Sequence, residues 1–135
     1  MTNIDTIINT IDRIEVKHNS VIVYDIDNTL IDQYGQPIHA IIYTYNYAKM
    51  RGLKPVIITA RKSFDSNIYH TRQQLKNFGI TDYIRIYFLP EEKDNQPVFK
   101  LLSRKNLHDN GYQVEMSLGD MPWDIGEYGG VGFIV

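Results

Sequence analysis

Ser20-Val21-Ile22-Val23-Tyr24-Asp25-Ile26-Asp27-Asn28-Thr29 is the stretch on which the reading of this chain turns. Residues 20 to 26 are a short, largely β-branched apolar run, the composition of a strand buried on both faces of a parallel sheet. The chain then presents two carboxylates, an amide and a hydroxyl between Asp25 and Thr29. In open α/β sheets ligands bind beyond the carboxyl ends of the strands, so polar residues placed there are read first as chemistry.

Working outward, helix and strand patterns alternate. Ile4, Ile7, Ile8, Ile11 and Ile14 recur at helical spacing behind Thr2 or Asn3 as caps. This predicts an amphipathic helix over 3–16, within an N-terminal segment 1–18 that covers the core. Ile38, Ile41, Ile42, Tyr45 and Ala48 predict a second helix ending at Gly52, followed by a strand from Pro55 to Thr59. Asp65 or Ser66 is placed to cap a third helix through Ile68, Leu75 and Phe78, with Tyr83 to Leu89 as the next strand. Pro97 suits the first turn of a fourth helix that stops near Gly111; Tyr112–Leu118 and Val131–Val135 complete the strands. Strands separated by helices imply right-handed crossovers. The expected fold is therefore α/β, a three-layer Rossmann-like sandwich on a mostly parallel five-stranded sheet, with residues 1–135 as one domain.

Composition narrows the function classes. At 135 residues with 43% hydrophobic and 22% charged side chains, the chain has the make-up of one globular domain, which argues against disorder and coiled coil. A net charge of −2 provides no global positive field for holding a polyanion. Without cysteine there are no disulfides, thiolate metal sites or cysteine nucleophiles, so any metal sits on oxygen or imidazole. No apolar run approaches the roughly 18 residues of a membrane span, and a signal-peptide pattern is missing. The expectation is a soluble, cytoplasmic protein that does not engage a membrane.

The polar strand ends assemble one constellation. Strand one ends in Asp25 and Asp27, strand two in Thr59-Ala60-Arg61, and strand four in Gly119-Asp120 with Asp124 following. Four carboxylates and a hydroxyl on one edge would repel one another by several kcal/mol unless a cation neutralised them. Oxygen ligands alone point to Mg²⁺. Lys100 would add a positive charge at the same edge, and a phosphoryl group bridging metal and lysine fits.

This set resembles the haloacid-dehalogenase-like (HAD) phosphohydrolases, over about residues 20 to 124. The D-x-D-x-T pattern stands at Asp25 to Thr29, the strand-terminal threonine at Thr59, the lysine at Lys100, and G-D-x-x-x-D at Gly119 to Asp124. Gln33 to Gly79, with its Gly-x-Pro-Ile turn and Thr-x-Arg strand end, is similar to the small acid-phosphatase branch. The resemblance implies a Mg²⁺-dependent phosphomonoester hydrolase. In it Asp25 is the nucleophile that forms an aspartyl-phosphate, and Asp27 the general acid and base. Thr59 and Lys100 hold phosphoryl oxygens. Beside the resemblance, Asn28 and Arg61 are candidate substrate-binding residues at the same edge, with Arg61 placed either to bind a substrate anion or to pair with an acid. Mg²⁺ is implied on Asp25, the Asp27 main-chain carbonyl and Asp120, supported by Asp124.

The intervals from Asp25 to Thr59, 34 residues, and from Thr59 to Lys100, 41 residues, are filled by one helix and one strand each. No cap domain is therefore expected, leaving the turn from Asp32 to Pro37 as the flap and a second copy of the chain as a candidate lid. Nucleotides, nucleic-acid ends, phosphoproteins and small phosphorylated metabolites all stay open as substrates. Lys93, Arg104 and Lys105 compete with Lys100 as the phosphate-binding cation. Two rival readings stand beside the hydrolase: a signalling receiver domain and a catalytically silent phosphate-binding module. A receiver carries its phosphorylated aspartate after strand three, where this chain has Leu89-Pro90. A silent module would be expected to have lost a core residue.

Overall fold

The computed structural model describes residues 3–135. Its elements are α1 (Ile4–Arg13), β1 (Ser20–Tyr24), α2 (His39–Met50), β2 (Lys54–Lys62), α3 (Asp65–Asn77), β3 (Arg85–Leu89), α4 (Gln96–Asp109), β4 (Gln113–Gly119) and β5 (Val131–Ile134), with a 3₁₀ turn at Pro122–Asp124. The five strands lie in the order β3-β2-β1-β4-β5, and every pairing is parallel. The sheet is thus parallel throughout where a mostly parallel one was expected.

All five residues of β1 are buried, as its continuous apolar run requires. Its side chains alternate between two cores. Ile22 and Tyr24 face Ile7 and Ile11 of α1, Ile41 and Tyr45 of α2, and Leu75 of α3. Val21 and Val23 face the other way, with Val56 and Ile58 of β2 and Leu107 of α4. Three helices therefore cover one face and α4 the other. Burying a branched aliphatic side chain stabilises a fold by about 1.5–3 kcal/mol, so this central strand anchors both layers.

Element ends differ from the sequence expectation for local reasons. α1 stops at Arg13 because Ile14 is already extended, at ψ 128, although it continues the apolar spacing. Asn3 caps this helix by accepting the Asp5 amide at 2.7 Å, while Thr2 lies outside the described residues. β2 runs on to Lys62, since pairing with β3 resumes at Lys62↔Leu89 after an irregularity past Thr59. The cap of α3 is Phe64 rather than Asp65 or Ser66, and Asp65 instead sits in the first turn, where its charge favours the helix dipole. Gly52 follows α2 at φ 95, a left-handed position that a glycine occupies without steric cost.

Candidate active site

From β1 the chain crosses to β2 on one side, and the later strand β4 lies on the other, so the carboxyl end of β1 is a topological switch point. Tyr24 is in register with Leu118, and the Asp25 amide donates to the Leu118 carbonyl at 3.0 Å. Asp25 is thereby set beside Gly119 and Asp120. The turn that follows is wound on one acceptor, the Ile26 carbonyl, which receives the amides of Thr29, Leu30 and Ile31. Asn28 takes φ 61 in it, a region that asparagine tolerates better than most residues, and donates its amide to Ile31 at 2.7 Å.

The Asp25 side chain is nearly buried, and the Lys100 ammonium donates to its Oδ1 at 2.8 Å. Lys100, only 2% exposed, also donates to the Ile58 carbonyl at 2.7 Å and lies 2.6 Å from Asp124 Oδ1. Burial, helped by the neighbouring Asp124 charge, pushes the Asp25 carboxyl up to about 7 against the pull of the Lys100 charge. Asp124 Oδ2 accepts the Met121 amide at 3.0 Å. Its Oδ1, despite the nearby ammonium, has no partner in hydrogen-bond geometry. Gly119 makes room for this carboxyl: a Cβ there would stand 2.2 Å from Asp124 Cβ.

Carboxylate oxygens of Asp25, Asp120 and Asp124 all lie within 4.8 Å of one another. One ammonium cannot neutralise three such charges. The donors are hard oxygens, and one buried oxygen is left without a hydrogen bond, so the residues fit a small hard cation. Asp27 stands apart from this group. Its half-exposed carboxylate is held by a two-pronged contact from Arg61, with Nε to Oδ2 at 3.0 Å and Nη2 to Oδ1 at 2.8 Å. Arg61 Nη1 is held in turn by Thr71 Oγ1 and Gln74 Oε1 of α3. Arg61 thus pairs with an acid in this structure. Thr59 is fully buried, and its hydroxyl oxygen accepts the Arg61 amide at 3.1 Å, which leaves its proton free to donate elsewhere. Asn28 is exposed at the rim of the turn.

Of the competing cations, Lys105 and Arg104 are engaged elsewhere and Lys93 lies on the surface. Lys105 pairs with Asp109 on its own helix, and Lys93 is exposed, with its carbonyl taken by Lys62. Arg104 is buried and turns into the loop after β4. That role was not read from sequence, although its place one helical turn beyond Lys100 was a usable signal. The Asp32–Pro37 turn is tied internally, since Asp32 Oδ1 accepts the amides of Tyr34 and Gln36. Among the described residues only α2 and this turn separate β1 from β2, and only α3 and β3 separate β2 from α4.

Compared with known families, residues 35–132 match the model described as HAD superfamily, subfamily IIIB (acid phosphatase). The match covers well over half of the chain and begins after the Asp25–Thr29 turn. No curated protein matches.

Proposed function

We propose that this chain, which belongs to subfamily IIIB of the HAD superfamily and is a phosphatase, hydrolyses phosphomonoesters through an aspartyl-phosphate on Asp25 with Mg²⁺ at the acid cluster. The observation that carries the proposal is the buried contact of Asp25 with Lys100, beside Asp120 and Asp124, at the switch point of the sheet.

In the first half-reaction an Asp25 oxygen attacks phosphorus, the bond from phosphorus to the ester oxygen breaks, and Asp27 gives that oxygen a proton. In the second, water attacks phosphorus, Asp27 takes its proton, and the bond to Asp25 breaks to release phosphate. Asp25, Asp120 and Asp124 would hold Mg²⁺, which when bound supplies the positive charge that lets a phosphate dianion approach a carboxylate. Lys100 keeps Asp25 turned toward the site and, with the free hydroxyl proton of Thr59, faces charge that spreads over the phosphoryl oxygens. Arg61, braced by Thr71 and Gln74, fixes where the Asp27 carboxyl sits.

Asp25→Asn tests the proposal, because the amide is nearly isosteric and is no nucleophile. Turnover of an aryl phosphate should fall below about a tenth of wild type, with the melting transition retained. Activity above that level in a folded mutant would remove Asp25 as the attacking group.

A further inference from the structure

The loop from Asp120 to Gly130 brings Asp124 to the acids, yet it contains Gly126, Gly129 and Gly130 and no regular element beyond one 3₁₀ turn. Arg104 holds it from below. The residue is 3% exposed, and its guanidinium donates to three carbonyls of the loop: Nε to Glu127 at 2.9 Å, Nη1 to Trp123 at 2.9 Å and Nη2 to Ile125 at 3.3 Å. Trp123 and Ile125 flank Asp124 directly. The loop closes around the arginine stem, such that a Cβ on Gly129 would lie 3.3 Å from Arg104 Cδ.

Arg104 and Lys100 are one turn apart on α4. Lys100 meets the Asp124 carboxylate while Arg104 binds the main chain on both sides of it. Among the described residues Arg104 makes no ion pair, so its buried charge is held directly by three carbonyl dipoles, with the Asp124 and Glu127 carboxylates attracting it from beyond contact distance. Burying a charge on neutral acceptors is costly, and a planar fork that reaches several carbonyls at fixed spacing is what only arginine offers.

We propose that Arg104 is a positioning residue that sets the place of the Asp124 carboxylate, and thereby the cation affinity of the acid cluster, without touching substrate or metal. The Asp124 side chain is held at Oδ2 by Met121 and approached at Oδ1 by Lys100; both contacts require the backbone between Trp123 and Ile125 to stay where the guanidinium pins it. The cation half of the proposal rests on the metal assignment made above, and the loop half does not.

The test uses the full chain with Arg104→Met, which keeps an apolar stem, and Arg104→Lys, which keeps the charge but loses the fork. Amide hydrogen exchange in metal-free protein follows the Met121 N–H, and calorimetry follows Mg²⁺ binding. In Arg104→Met the Met121 amide should exchange about tenfold or more faster while the amides of β1 stay protected, and the Mg²⁺ dissociation constant should rise about tenfold. Arg104→Lys should fall between, and it carries the same readouts if Arg104→Met does not fold. Unchanged Met121 exchange in a folded variant, or a Mg²⁺ constant within about twofold of a wild type that binds the ion, would overturn the proposal. A wild type that binds no Mg²⁺, with Met121 exchange still accelerated in the variants, would uphold the loop role and defeat the metal assignment instead.

Discussion

Gly119→Ala should damage the site through one contact. The added Cβ would stand 2.2 Å from Asp124 Cβ and 2.3 Å from its Oδ2. Carbon atoms in contact sit about 3.5–4.0 Å apart, so Asp124 must retreat by roughly 1.3 Å or more. That retreat breaks the 3.0 Å contact of Oδ2 with the Met121 amide and draws Oδ1 away from Lys100, 2.6 Å distant. Backbone strain does not enter, because Gly119 is not in the left-handed region. Overpacking should cost about 1–3 kcal/mol of stability. A displacement of about 1 Å in a catalytic array costs about a hundredfold in rate, which equals about 2.7 kcal/mol. The assay is kcat/KM for an aryl phosphate across a Mg²⁺ titration, with thermal melting to follow the fold. A double-mutant cycle isolates the cause: in an Asp124→Gly background the same alanine should cost almost no further stability. Retention of more than about half the wild-type kcat/KM, or an equal stability loss in both backgrounds, would refute the steric reasoning.

Lys100→Met leaves Asp25 and Asp124 buried without their cation and should destabilise metal-free protein by about 3–5 kcal/mol. Added Mg²⁺ should raise its melting temperature more than that of wild type, and equal shifts would contradict the electrostatic account. Asp120→Ala should raise the Mg²⁺ concentration needed for activity more than Asp124→Ala does, since Asp124 is engaged by Lys100 and the Met121 amide; parallel titrations that shift alike would sink the distinction. Arg61→Ala should cost about 1–3 kcal/mol of stability, little of it from the half-exposed Asp27 pair and most from the buried Thr71 hydroxyl that loses its donor. It should lower kcat about tenfold with KM within about twofold, whereas a raised KM at constant kcat would assign Arg61 to a substrate anion.

Much of the fold was legible because β1 and β2 are short branched runs closed by polar residues, and because helical spacing recurs between them. The ends were less so. Ile14 keeps the period of α1 after the backbone has left it, and Ala60, Arg61 and Lys62 carry no apolar signal for the extension of β2. At the site, linear order was enough to place Asp25, Asp120, Asp124 and Lys100 together, because parallel strands end at one edge. Side-chain pairing was not readable in the same way. That Arg61 closes on Asp27 depends on Thr71 and Gln74 of α3, and that Arg104 leaves the acids for three carbonyls depends on the path of a glycine-rich loop. Spacing along the chain specifies neither.

The central claim is that the phosphoryl group passes through Asp25. Mixing the protein and Mg²⁺ with a phosphomonoester carrying labelled phosphorus, quenching in acid within a turnover and mapping the labelled peptide tests this most directly. The account predicts label on the Asp25 peptide, lost in Asp25→Asn and released as phosphate when the quench is delayed. Label on another residue, or the same label in Asp25→Asn, would contradict it.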